Sequence, residues 1–143
     1  MRITGLAFMI AALSVAGCSA LSSSSKSLNS GVPTVDGFRQ AGISPMNDPE
    51  LSEFLIGKRI TMKDVESGKV GTVRHAEEGK RLIQSHGMRF VTDFSIADGQ
   101  YCAESVRSGE THCSQVYRTT EGVTYLCDPR HEGECRWRLI PSG

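Results

Sequence analysis

The chain lacks most of what would mark it for a charged partner or a well-known catalytic chemistry. Its 16 Lys and Arg are balanced by 16 Asp and Glu, giving zero formal net charge. A nucleic-acid binder ordinarily carries a basic excess, so that class is not expected. With 38% hydrophobic and 22% charged residues the chain is too polar for a multi-span membrane protein and too apolar to be wholly disordered. No Cys-x-x-Cys pair is present, so thioredoxin-like redox chemistry and covalent haem attachment lack their motif. Ser108 and Ser114 have no G-x-S-x-G context. Gly68-Lys69-Val70-Gly71 and Glu78-Gly79-Lys80 lack the spacing that cradles phosphates. The histidines, His75, His86, His112 and His131, all fall in or beside predicted turns, where a solvated or locally bonded ring is the default. No catalytic residue, metal site or cofactor is assigned on this basis.

The chain does contain a bipartite N-terminus. Arg2 supplies a positive start, Ile3–Ala16 is uncharged, and Val15-Ala16-Gly17-Cys18 ends the stretch on small residues before a cysteine. At fifteen residues, Ile3–Gly17 is too short to span a bilayer comfortably as a permanent helix. This segment resembles a bacterial lipoprotein signal peptide, whose lipobox reads aliphatic, small, small, Cys. The resemblance implies cleavage after Gly17 and lipidation of Cys18 through a thioether-linked diacylglyceride, with further acylation of the new N-terminus. Two or three acyl chains suffice for stable anchoring, at roughly 0.8 kcal/mol per buried CH₂. It also implies sorting by the next residue. Ser19 in place of Asp favours the outer membrane, so the expected location is the cell envelope, lipid-anchored and facing the periplasm.

Ser19–Gly31 has seven Ser in thirteen residues and no apolar periodicity, the composition of a flexible tether. Val32–Asn47 mixes apolar residues with Gly and Pro, and either runs over the domain surface or stays loose. Three segments are therefore expected: 1–17 signal peptide, 18–47 lipidated N-terminus and tether, and 48–143 folded domain. Asp48 as an N-cap before Pro49 opens a short helix, with Leu51, Phe54 and Leu55 on one face and Gly57 as its stop. Beyond Gly57 the apolar period drops to two. Phe90, Thr92, Phe94 and Ile96 alternate with Val91, Asp93 and Ser95, and Asp98-Gly99 is a hairpin signal. Gly-centred turns recur about every ten residues to the C-terminus. This pattern describes a mainly β protein, a small antiparallel meander or barrel of seven or eight strands preceded by one short helix.

Four cysteines remain after Cys18, an even number in an exported chain, and disulfides are expected. The favoured pairs are Cys102–Cys113 and Cys127–Cys135, with Cys102–Cys135 and Cys113–Cys127 as the next choice. A two-residue turn at Ser108-Gly109 would set Cys102 opposite Gln115, so the first pair needs a bulge or a longer loop. The zinc alternative is Cys127-x-x-x-His131-x-x-x-Cys135. Positive charge gathers near the single Trp, and Arg118, Arg130, Arg136 and Arg138 are candidate binding residues, with Tyr117 and Tyr125 as neighbours. In a strand, Trp137 would point inward while Arg136 and Arg138 share the solvent face.

Phe94–Cys127, with repeated Gly-centred hairpins and paired cysteines, resembles in pattern small exported β proteins of bacterial envelopes, some of which inhibit lysozymes. The loop motif of those inhibitors, Ser-Gly followed by Lys and Tyr, is met by Ser67-Gly68-Lys69 without the Tyr. The reading that results is a non-catalytic envelope lipoprotein whose β domain binds a protein, glycan or small ligand. The alternative is an inhibitor of a peptidoglycan-cleaving enzyme. Its expected partners are the lipid bilayer through acylated Cys18 and an envelope protein or glycan.

Overall fold

A computed structural model describes residues 31–142. Cys18 and the lipobox lie outside the described residues. Eight antiparallel strands close into one barrel in sequence order: β1 (Arg59–Asp64), β2 (Val70–His75), β3 (Lys80–Ser85), β4 (Met88–Ala97), β5 (Gln100–Glu104), β6 (Thr111–Arg118), β7 (Thr124–Cys127) and β8 (Trp137–Ser142). Each strand pairs with its neighbour in sequence, and β8 returns to β1 with Ile60 opposite Pro141 and Met62 opposite Leu139. Closure leaves no strand edge for another chain to extend.

The turns explain the register. Asp98 and Gly99 both have positive φ, the two-residue geometry whose twist suits a hairpin, and His86-Gly87 repeats it between β3 and β4. The β5–β6 connection is longer. Ser105 N–H donates to Glu110 O, Glu104 pairs with Thr111, and Cys102 falls directly opposite Cys113 with no bulge.

Strand alternation sends one row inward, Ile60, Val73, Phe94, Tyr101, Ala103, Val116 and Leu139. The helix α2 (Asp48–Leu55) plugs one end of the barrel, hereafter the capped end, and adds Leu51, Phe54 and Leu55 to the same core. Its N-cap is Asn47 rather than the expected Asp48. The Asn47 side chain accepts from Glu50 N–H while Glu50 accepts from Asn47 N–H, a reciprocal capping box. Asp48 is thereby free to accept the Gly99 amide at 2.6 Å, tying α2 to the β4–β5 hairpin.

The expected boundary at Asp48 is too late. Val32–Asn47 takes the surface course, and it contains a helix the sequence pattern did not announce, α1 (Val35–Gln40). Pro33 O accepts from Cys135 N–H at 2.7 Å, and Val35 N–H donates to Gly133 O at 2.9 Å. Phe38 is fully buried against Tyr117, Cys127 and Cys135 on the outside of the barrel, its ring stacked on Tyr117 at 4.8 Å. Pro45 then bridges to Tyr117, and Met46 N–H donates to Val116 O. The segment thus straps the barrel from the β7–β8 connection, at the end opposite α2, up to the capped end.

Candidate functional site

Small barrels carry ligands inside only if side chains leave room. Here they do not. The internal void among Leu55, Ile60, His75, Tyr101 and Val116 is about 10 Å³, space for one water at most. The interior does contain one polar cluster. His75 and Tyr101 face each other from β2 and β5, with His75 Nε2 at 2.9 Å from Tyr101 Oη. Arg81 of β3 donates to Tyr101 Oη at 3.0 Å, to Thr92 Oγ1 at 2.8 Å and to the Glu104 carbonyl. Burial first, and then the Arg81 guanidinium, push the His75 pKa down to about 4, so the ring is neutral near pH 7. Burial likewise raises the Tyr101 phenol. His75 Nδ1 is buried without a hydrogen-bond partner among the described residues. The cluster's hydrogen bonds run to protein groups on four strands, which makes it a cross-brace of the barrel wall.

The concavities large enough for a ligand lie outside. One groove of about 500 Å³ opens at the capped end between α2 and the β6–β7 and β8 strand ends, with Glu50, Glu53, Lys58, Arg118 and Thr124 in its wall. Arg118 spreads over the Phe54 ring, 5.2 Å from its centroid, and makes no ion pair among the described residues. A second groove, about 420 Å³, runs beside the β2–β3 turn past Arg74, Glu77, Glu78, Lys80, Leu82 and Val91.

The four candidate arginines do not form one patch. Arg118 stands at the capped end. Arg130 is bound by Asp128 beside the short 3-10 turn Pro129–His131, at the other end. Arg136 is half-buried, 2.7 Å from Glu66 and 3.7 Å from Asp64, so it does not share the solvent face expected for it. Asp64 also accepts the Ser67 and Glu66 amides, and the Ser67 bond above all holds its carboxyl below the usual range. Only Arg138 sits on the outer face as anticipated, opposite Tyr125 and Lys63. Trp137 does point inward, half-buried against the core.

Both favoured disulfides are present, Cys102–Cys113 and Cys127–Cys135. The second consumes the thiols of the zinc alternative, and no cluster of three or more metal-binding side chains occurs among the described residues. Sequence reasoning missed the His75–Tyr101–Arg81 cluster. Its members lie on three strands, and the one available signal was that all three fall on the inward parity of their strands.

No family model, curated protein or solved structure matches this chain.

Proposed function

We propose that the protein is a lipid-anchored lipoprotein of the bacterial envelope whose barrel binds, without catalysis, an envelope protein or glycan through its outer surface. The lipobox at Val15–Cys18 supports the anchor. Two disulfides suit an oxidising, exported setting. The observation that carries the binding reading is the contrast between a filled interior and the open groove at the capped end. Arg118, over the Phe54 ring and without a carboxylate partner among the described residues, with Lys58, Glu50 and Glu53 alongside, offers both signs of charge to a polar partner.

Two measurements test this. Palmitate labelling should mark the wild type and not Cys18→Ser, and a labelled Ser variant that stays with the membrane refutes the anchor. A photo-crosslinker at Lys58 should capture a neighbour in cells, and Arg118→Gln should reduce that capture several-fold with little change in melting temperature, because the side chain is exposed. Undiminished capture would move the site elsewhere.

A second reading, inhibition of a lysozyme-type enzyme, is favoured by one feature. Ser67-Gly68-Lys69 is the exposed tip of the β1–β2 turn, braced by Asp64 and turned by Gly68 at φ 70°. A rigid protruding tip suits entry into a cleft. A lysis assay with and without the purified protein distinguishes this reading from the first.

A further inference from the structure

The two ends of the barrel differ in charge and in exposed apolar residues, and the chain enters at only one of them. At the capped end the turns carry Glu77, Glu78, Asp98 and Glu121, and with Asp48, Glu50 and Glu53 of α2 these outnumber the cations there, Lys58, Lys80 and Arg118. At the opposite end an exposed apolar residue stands next to a cation at three of the four connections, Lys69-Val70 and Met88-Arg89 where β2 and β4 begin and Val106-Arg107 within the β5–β6 connection. Val70 is 51% exposed, Met88 56% and Val106 44%; the other exposed large apolar residues, Leu82, Val91 and Ile140, lie within strands of the barrel wall and not at a turn. One exposed apolar side chain is ordinary on any surface. Three at the tips of one end, each beside a basic residue, match what a membrane interface binds, with apolar groups in the headgroup layer and cations at the phosphates. Lys69, Arg89 and Arg107 form no ion pair among the described residues. Among the carboxylates of this end, Asp64 and Glu66 share Arg136 and Asp128 pairs with Arg130, while Glu110 lies 3.8 Å from His112 and Glu104 accepts the Asp93 amide. Glu132 and Glu134 lie in the connection that receives the strap.

The fourth connection of this end, Asp128–Arg136, is where Pro33, Thr34 and Val35 dock. A chain tethered at Cys18 has only Ser19–Gly31 between the lipid and that point. Thirteen residues reach at most about 45 Å even fully extended. We propose that this end of the barrel seats on the phospholipid surface, with Val70, Met88 and Val106 in the headgroup layer and Lys69, Arg89 and Arg107 on lipid phosphates. The proposal rests on the lipid anchor at Cys18. It fixes an orientation that the anchor alone would leave free, because anionic headgroups attract Lys69, Arg89 and Arg107 and repel the excess of carboxylates at the capped end.

The test uses the full acylated protein reconstituted in vesicles of phosphatidylethanolamine and phosphatidylglycerol. An environment-sensitive fluorophore is placed, one position at a time, at Met88→Cys, Val106→Cys or Glu121→Cys. Positions 88 and 106 should be quenched by spin-labelled lipid and shielded several-fold from aqueous iodide, while position 121 stays open to iodide. Reversing Lys69, Arg89 and Arg107 to Glu together should abolish the shielding without releasing the acylated protein from the vesicles. Acylated protein with all three positions equally open to iodide overturns the docking and leaves the anchor standing. A chain that takes up no palmitate overturns both. Shielding that appears only after an envelope extract is added assigns this end to a protein partner, and it also overturns the proposal.

Discussion

His75 shows how one buried side chain can set the acid limit of the barrel. It is 3% exposed, T-stacked on Phe94 and Tyr101 and bonded to Tyr101. In the unfolded chain its pKa is near 6.5, while in the fold it is pushed down to about 4. Below pH 6.5 the unfolded chain therefore takes up a proton that the folded chain refuses. Stability falls as pH drops through that window and levels off below the folded value, with a total loss of about 3 kcal/mol. The other groups facing the ring are Tyr101 and Arg81, and Arg81 adds repulsion to any charge placed there. Urea unfolding at pH 7.5 and 4.5 should show the loss in the wild type and much less of it in His75→Gln. Equal losses in both proteins would assign the effect to other groups. The fate of individual residues was only partly legible. Trp137 shares the parity of Leu139 and turns inward as period-two alternation requires. Arg136 was misread because its partners, Asp64 and Glu66, are some seventy positions away and meet it only through barrel closure.

At the scale of elements, the strands were legible because their turns are chemically explicit. Asp98-Gly99 can hold two successive positive φ values, and Phe90, Thr92, Phe94 and Ile96 keep strict alternation between such turns. The strap was not legible. α1 is six residues long with Gly37 inside it and a single fully buried residue, Phe38, so neither propensity nor periodicity announces it. Its stability comes from what it lies on, the loop closed by Cys127–Cys135. Replacing both cysteines with Ala should cost about 2–4 kcal/mol, and it should speed amide exchange across Val35–Ile43 as well as in the loop. Removing Cys102–Cys113, which joins adjacent strands in register, should leave exchange in the strap unchanged. Equal exchange effects from the two pairs would mean the strap is held independently of its loop. Phe38→Ala offers a second check on the strap, with an expected cost of about 3–5 kcal/mol from lost burial and a cavity against Tyr117.

Over the whole molecule, the decisive contact is the seam between β1 and β8, which joins the two ends of the sheet over Arg59–Asp64 and Trp137–Ser142. Removing residues 137–143 would open that seam, leave two unpaired edges and take Leu139 from the core. Gel filtration should then find aggregate at the void volume in place of the wild type's peak, and a soluble product eluting as the wild type does would count against closure as the source of stability. A seam between such distant segments also predicts slow folding, on the millisecond-to-second scale of non-local β topologies. The strap gives the assembled molecule a mechanical property. If the chain is pulled through its N-terminus, the load arrives first at the hydrogen bonds of Pro33 and Val35 to the Cys135 loop. The covalent link to Cys127 then passes part of that load into the end of β7, so the pull is shared between two strands of a closed wall. An anchored barrel of this design would give under tension by peeling its strap, and the wall itself would fail last.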